Sequence, residues 1–203
     1  MRIHFIAIGG SAMHNLAIAL KEKGYDVSGS DDEIFEPSLS RLKKHGILPS
    51  SIGWNTSKIT KELDAIVLGM HARLDNPELL KAEELGLKIY SYPEYLYQQT
   101  KDKIRIVIGG SHGKTTVTAM IATILSLAGL DPSYVIGSGM VRGLGLPGHF
   151  GAGDWFVAEG DEYVTDPGHD ETPRFLWQKP EILVVTNIDF DHPDVYPDMT
   201  AVV

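Results

Sequence analysis

The sequence predicts an α/β protein made of two successive units with parallel sheets, and three observations predict it. Short β-branched or apolar runs alternate with segments that carry the i, i+3, i+4 spacing of buried helix faces. Two of those runs end at paired glycines, Gly9-Gly10 and Gly109-Gly110, and open directly into a helical pattern. A short polar stretch, Thr100-Lys101-Asp102-Lys103, separates one complete pattern from the next. The expected domains are therefore residues 1–100 and 104–203.

Residues 2–8 read as a buried strand, and Met13, Leu16, Ala17 and Leu20 mark one face of a helix that stops at Gly24. Residues 25–31 read as the next strand, closing on Asp31, 22 positions after Gly9. This βαβ opening is Rossmann-like. Ala7 and Ala12 stand where a dinucleotide fingerprint has its first and last glycines, so the turn suits a nucleotide diphosphate better than NAD. A tight strand–helix turn without a ligand is the bland alternative. A helix over residues 39–45, a short apolar element at 52–54 and a strand at 64–69 follow. Asn76 reads as an N-cap with Pro77 at the first helical position, before a helix through Leu85. Residues 88–92 form another strand, and Pro93 starts a short helix with Tyr95, Leu96 and Tyr97.

The second unit is organised around Ile106-Val107-Ile108-Gly109-Gly110-Ser111-His112-Gly113-Lys114-Thr115-Thr116. A strand, a glycine loop and a helix N-terminus make an anion site: backbone N–H groups converge on phosphate, and Lys114 adds a positive charge. Thr115 is placed to offer its hydroxyl to a Mg²⁺ between phosphate oxygens. The Walker A pattern wants a glycine five positions before Gly113, where Ile108 stands, so this P-loop is one residue short. The next helix is expected to bury Val117, Met120, Ile121, Ile124, Leu125 and Ala128. Strands follow at 134–137 and 155–159, with a glycine-rich stretch from Gly137 to Gly153 between them. Residues 164–174 read as loop, and 182–188 as a buried strand delivering Asp189-Phe190-Asp191-His192. With about four strand candidates the second unit looks incomplete, and the chain is expected to be part of a longer one.

Composition narrows the partners. A net charge of −9 with no basic stripe argues against nucleic acid. The absence of cysteine removes disulfides, thiolate metal sites and a cysteine nucleophile, which suits the cytoplasm. No run reaches transmembrane length, so no membrane partner is expected.

Ligands in open α/β sheets gather at the carboxyl ends of strands, and three strand ends of the second unit carry chemistry. Beside the P-loop stand Glu159-Gly160-Asp161-Glu162 and the Asp189 to His192 run. Carboxylates so close to phosphates make sense where Mg²⁺ lies between them. His112 either contacts phosphate or caps the helix; His192 at a strand end suits a metal or phosphate role.

With these motifs quoted, the chain resembles the Mur ligases, ATP-dependent amide-forming enzymes that build the peptidoglycan peptide on UDP-N-acetylmuramate. The resemblance runs its whole length. It rests on Gly9-Gly10-Ser11-Ala12-Met13, Val27-Ser28-Gly29-Ser30-Asp31, Asp75-Asn76-Pro77-Glu78, the Gly110 to Thr116 loop, Glu159-Gly160-Asp161-Glu162-Tyr163 and Thr186-Asn187-Ile188-Asp189-Phe190-Asp191-His192. The shortened P-loop is a trait of that family. Two branches share a first domain opening on a glycine pair, one adding L-alanine and the other the murein tripeptide L-Ala-γ-D-Glu-diaminopimelate. The alanine branch is expected to carry glycine at Ala12 and serine at His14. Tyr163 and the Asn187 to His192 ending resemble the tripeptide branch, used in murein recycling. Gly160 and Val164 depart from the family's alanine and aspartate.

The resemblance implies ATP and Mg²⁺ as cofactors, an acyl-phosphate intermediate and a Rossmann-like UDP-sugar domain before a P-loop ATP domain. It implies catalytic roles for Lys114, Glu159 and His192, and ATP contacts from Gly110, Ser111, His112, Gly113, Lys114, Thr115 and Thr116. Thr115, Glu159 and His192 would hold metal; Gly9, Gly10, Ser11, Ala12, Met13, Asp31 and His71 would bind the UDP-sugar. The amine site would lie in a C-terminal domain beyond this chain, so the chain alone is expected to be inactive. A monomer or weak homodimer is expected. An NAD-binding module and a P-loop NTPase switch are the competing readings.

Overall fold

The computed structural model describes residues 1–70, 72–161, 164–166 and 170–189. The chain divides into two compact units, Met1–Tyr95 and Leu96–Val203.

The first unit contains β1 (Arg2–Ile6), α1 (Ser11–Glu22), β2 (Asp26–Ser30), α2 (Ser38–Lys44), β3 (Ala65–Leu68), α3 (Pro77–Glu84) and β4 (Ile89–Ser91). α4 (Tyr92–Thr100) follows, and the division between the units falls within it. All four strands are parallel, in the order β2-β1-β3-β4. The connections leave β1 in opposite directions, so its carboxyl end is the switch point where a crevice opens. β1 is covered on both faces, which is why Ile3, Phe5 and Ile6 are fully buried. The expected apolar element at 52–54 is only a bridge: Gly53 N donates to Asp31 O at 2.7 Å, and no strand forms.

His4 is also fully buried on β1, at the centre of a polar network. Its Nδ1 lies 2.9 Å from Ser28 Oγ, and its Nε2 lies 3.3 Å from both Ser30 Oγ and Glu78 Oε2. Ser30 donates to Glu78, whose other oxygen accepts from Asn55 N at 2.6 Å. Buried charge survives where such partners surround it. Asn76 caps α3, its Oδ1 accepting from Glu78 N at 2.9 Å and Leu79 N at 3.2 Å, with Pro77 just inside. Asn76→Ala is expected to cost about 1 kcal/mol of stability, measurable as a lower urea midpoint with an unchanged slope.

The second unit contains β5 (Ile104–Gly109), α5 (Lys114–Leu127), β6 (Ser133–Val135), β7 (Gly148–His149), β8 (Trp155–Glu159), β9 (Val164–Asp166), β10 (Asp170–Pro173), α6 (Arg174–Trp177) and β11 (Ile182–Val185). Its main sheet has the order β11-β5-β8-β6-β7, with only β7 antiparallel. β5, between β11 and β8, buries Val107 and Ile108.

Three expectations for this unit are corrected. α5 is rotated from the expected face: Met120 and Ile124 are 57% and 61% exposed, while Thr118 and Ala122 are buried. Val117, Ala119, Ile121 and Leu125 pack on the core of Ile106, Ile108, Tyr134, Ile136 and Val157. Apolar and small residues run almost all round this helix, so spacing alone cannot choose a stripe; the small side chains let the helix approach the sheet. Residues 164–174 are not simply loop, since β9 and β10 pair antiparallel and Thr165 Oγ1 donates to Thr172 O at 2.7 Å. Among the described residues β11 is an edge strand with Ile182, Leu183 and Val185 substantially exposed, not a buried one, and it ends at Val185.

The polar stretch 100–103 is also tied down. Buried Arg105 donates from Nη1 to the carbonyls of Lys101 at 2.7 Å and Lys103 at 2.9 Å, and from Nε to Gln178 O at 2.8 Å. Its Nη2 pairs with Glu181, and its guanidinium lies over the Tyr97 ring. Among the described residues no helix is long and apolar enough to cross a membrane.

Candidate functional site

The loop between β5 and α5 stands at the carboxyl end of β5, an interior strand. Gly110, at φ +120°, packs its backbone directly on Thr186 and Asn187; a β-carbon there would lie 2.6 Å from Asn187 O. The residues after β11 brace the loop. Asn187 Oδ1 accepts from His112 N at 2.8 Å, and Asn187 O accepts from Ser111 N at 3.2 Å. Thr186 Oγ1 donates to His112 O at 2.6 Å, and Ser111 Oγ donates to Asp189 O at 2.8 Å. Thr186 and Asn187 were visible in the sequence only as part of a motif; their work as a brace depends on β11 pairing beside β5, which spacing does not reveal.

Lys114 turns back on the loop, its Nζ donating to Gly110 O at 2.6 Å and Ser111 O at 3.3 Å. Thr115 Oγ1 donates to Glu159 Oε1 at 2.8 Å, and Glu159 Oε2 accepts from Gly137 N at 2.7 Å. The end of β8 is thereby joined both to the first turn of α5 and to the segment after β6. Gly137 is a partner that sequence reasoning missed. Ser111 and Lys114 are partly buried, and His112, Gly113 and Thr116 are exposed. A hydroxyl and a carboxylate are hard oxygen donors of the kind Mg²⁺ takes alongside phosphate and water. Among the described residues there is no group of three His, Asp or Glu side chains that could hold a metal. His192, the expected third ligand, and His71 lie outside the described residues.

The first unit has its own glycine loop, at the switch point of its sheet. Gly9 N donates to Asp31 Oδ2 at 2.6 Å, and a β-carbon on Gly9 would stand 2.8 Å from that oxygen. Asp31 is buried and braces the loop from behind. Burial pushes its carboxyl above the usual range, against the pull of the Gly9 N–H, and neighbouring Asp32 adds to the rise. Gly10 caps α1 without a side-chain bond, leaving Ser11 and Ala12 exposed on the first turn. Met13 points into the core, so its backbone alone is placed to meet a ligand.

Comparison with known proteins places both units. Residues 2–103 match the model of the Mur ligase family, catalytic domain, and residues 108–203 that of the Mur ligase middle domain. The UDP-N-acetylmuramate–L-alanine ligase of Sulfurihydrogenibium sp. is 37% identical over 198 residues, covering 98% of this chain and 41% of that protein. The ligase of the same name from Polaromonas sp. is 39% identical over 194 residues, covering 96% of this chain and 39% of that protein. The chain thus spans about two fifths of the curated relatives it matches. Among solved structures, UDP-N-acetylmuramate:L-alanyl-γ-D-glutamyl-meso-diaminopimelate ligase from Neisseria meningitides superposes with a TM-score of 0.85 at 31% identity, over 99% of this chain and 64% of that one. UDP-N-acetylmuramate-alanine ligase from Thermotoga maritima gives a TM-score of 0.78 at 29% identity, over 100% of this chain and 45% of that one. With both of its units matched in order along nearly its whole length, the chain belongs to the Mur ligase family.

Proposed function

We propose that this chain provides the UDP-sugar and ATP-binding parts of a ligase that joins L-alanine to UDP-N-acetylmuramate. The observation that carries the reading is a pair of glycine-loop sites, one at the carboxyl end of an interior strand of each unit. Two such sites suit a reaction with two nucleotide-bearing substrates. An NTPase switch or an NAD module would account for only one of them. L-alanine is preferred as the amine because the curated relatives at 37% and 39% identity are named for it. This reverses the preference for the tripeptide drawn from Tyr163 and the Asn187 to His192 ending. The tripeptide stays as the second reading, favoured by the 0.85 TM-score to a tripeptide ligase.

In this reading a first domain, residues 1–100, cradles the UDP diphosphate on the backbone of Gly9 to Met13, and a second, residues 104–203, takes ATP. The loop from Gly110 to Thr116 wraps the phosphates, and Lys114 exchanges its present carbonyl partners for phosphate oxygens. Thr115 and Glu159 are the residues that would hold Mg²⁺, with His192 assigned to a second ion. When bound, Mg²⁺ supplies neutralisation of the charge that otherwise keeps carboxylate and phosphate apart. ATP activates the lactyl carboxylate as an acyl phosphate, and the amine displaces phosphate to form the amide.

The test uses the full-length gene product with UDP-N-acetylmuramate, ATP and Mg²⁺, offered L-alanine or the tripeptide and followed by phosphate release. Release with L-alanine alone is expected. Release with the tripeptide alone would transfer the assignment to the recycling branch, and release with neither would overturn the ligase reading.

A further inference from the structure

A glutamate at a strand end can turn about several side-chain bonds, whereas a metal ligand must be held within about 0.5 Å of its working position. Glu159 ends β8, and something must hold its carboxylate. We infer that Gly137 does so: its N–H fixes one carboxylate oxygen, its missing side chain makes room, and the other oxygen is presented with Thr115 to the divalent cation. The inference rests on the proposed assignment of Thr115 and Glu159 to Mg²⁺.

β6 and β8 are neighbouring parallel strands, with Val135 opposite Ala158, so the residues just beyond their carboxyl ends come together. Gly137 is fixed there by both of its chain neighbours. Ile136 is buried in the core, and its N donates to Pro147 O at 2.8 Å. Ser138 N donates to Ile136 O at 2.8 Å, closing a three-residue turn centred on Gly137. The turn leaves the Gly137 N–H unused, and it donates to Glu159 Oε2 at 2.7 Å. Turning the carboxylate away would forfeit this charge-assisted bond. Oε1 therefore stays 2.8 Å from Thr115 Oγ1. With metal–oxygen distances of about 2.0–2.1 Å, adjacent vertices of a Mg²⁺ octahedron lie about 2.8–3.0 Å apart. The two oxygens thus already stand at the spacing of neighbouring ligands, and each keeps a lone pair to offer.

Space, and not backbone shape, requires glycine at this position. A β-carbon on Gly137 would lie 2.5 Å from Oε2, 3.0 Å from Cδ and 3.1 Å from Oε1 of Glu159, and these are its three nearest atoms. All belong to the far end of one flexible side chain. Alanine would push the carboxylate aside without a clash against the backbone. Gly137 acts through Glu159 and is a positioning residue.

Mn²⁺ titrated into the full-length protein, held in excess over a non-hydrolysable ATP analogue and followed by electron paramagnetic resonance, tests this. Gly137→Ala is expected to weaken Mn²⁺ binding roughly 10-fold or more, the scale for losing the partner that orients a metal ligand. Glu159→Gln should weaken it too, and adding Gly137→Ala to that variant should cost little more. Wild-type Mn²⁺ affinity in Gly137→Ala would overturn the inference, as would a loss that persists at full size in the Glu159→Gln background. Amide exchange gives a readout that needs no Gly137 variant: the Gly137 N–H should exchange slowly in wild type and fast in Glu159→Ala. Equal exchange in the two proteins would also overturn it. A wild type that binds the analogue but no Mn²⁺ would instead remove the metal reading itself, and this inference with it.

Discussion

Glu78→Ala is expected to destabilise the first unit by several kcal/mol, since each buried donor left without its acceptor costs about 1–3 kcal/mol. The substitution strips buried His4 and the buried Ser30 hydroxyl of a shared carboxylate oxygen and leaves the part-buried Asn55 N–H without its acceptor. A domain of this size has about 5–15 kcal/mol in total, so the variant should unfold at much lower urea. Glu78→Gln keeps the shape and part of the hydrogen bonding and should lose less. The network also predicts a pH dependence. Burial, the largest influence, pushes the Glu78 carboxyl up, but the bonds from His4, Ser30 and Asn55 together hold it below its ordinary value of 4.5. A carboxyl lowered on folding stabilises the protein above its unfolded value, and that stability disappears as pH falls through the folded one. Urea melts of wild type and Glu78→Ala should therefore draw together on acidification below pH 4.5. A gap that stays constant with pH would refute the role given to the ionised carboxylate.

Gly110→Ala is expected to weaken ATP binding by roughly 100-fold or more, about 2.7 kcal/mol. The φ of +120° disfavours any side chain, and the added β-carbon would collide with Thr186 Oγ1 and with Asn187 backbone. To make room, the loop must leave the brace that holds Ser111 and His112. Gly113 is the internal contrast. It also has a positive φ, +83°, but nothing stands within 4 Å of its would-be β-carbon. Gly113→Ala then carries backbone strain alone, on the order of 1–3 kcal/mol, without displacing the brace. A fluorescent ATP analogue titrated into both variants separates the two effects. Wild-type affinity in Gly110→Ala would show that the brace does not shape the phosphate loop.

The order of strands and helices, the glycine turns and the Asn76–Pro77 cap were legible because each rests on local chemistry. What was not legible depends on partners distant in sequence. Ile182, Leu183 and Val185 spell a buried strand, but burial depends on having neighbours on both sides, and among the described residues β11 pairs only with β5. Met120 and Ile124 fit a helical stripe as well as Thr118 and Ala122 do; the sheet chose the smaller pair. In the candidate sites, Lys114, Thr115 and Glu159 were readable from motif and strand end, and the structure brings Thr115 and Glu159 into contact. Asp31 was readable as an acid closing β2, but its bond to Gly9 required the parallel register of β1 and β2. Gly137 and Glu159 stand 22 residues apart, and no spacing rule joins them.

The brace on the phosphate loop also sets the order in which the chain can become competent during synthesis. Its contacts join Ser111 and His112 to residues 74 to 78 positions later. At translation rates of about 5–20 residues per second, those partners are made roughly 4–15 seconds after the glycines they hold. The helix that begins at Lys114 can wind at once from local contacts, but the loop before it acquires its shape only when β11 docks beside β5. Long-range parallel pairing of this kind is slow to form. The shape of the loop from Gly110 to Gly113 is therefore a late acquisition of the nascent chain, set when its last described strand is in place.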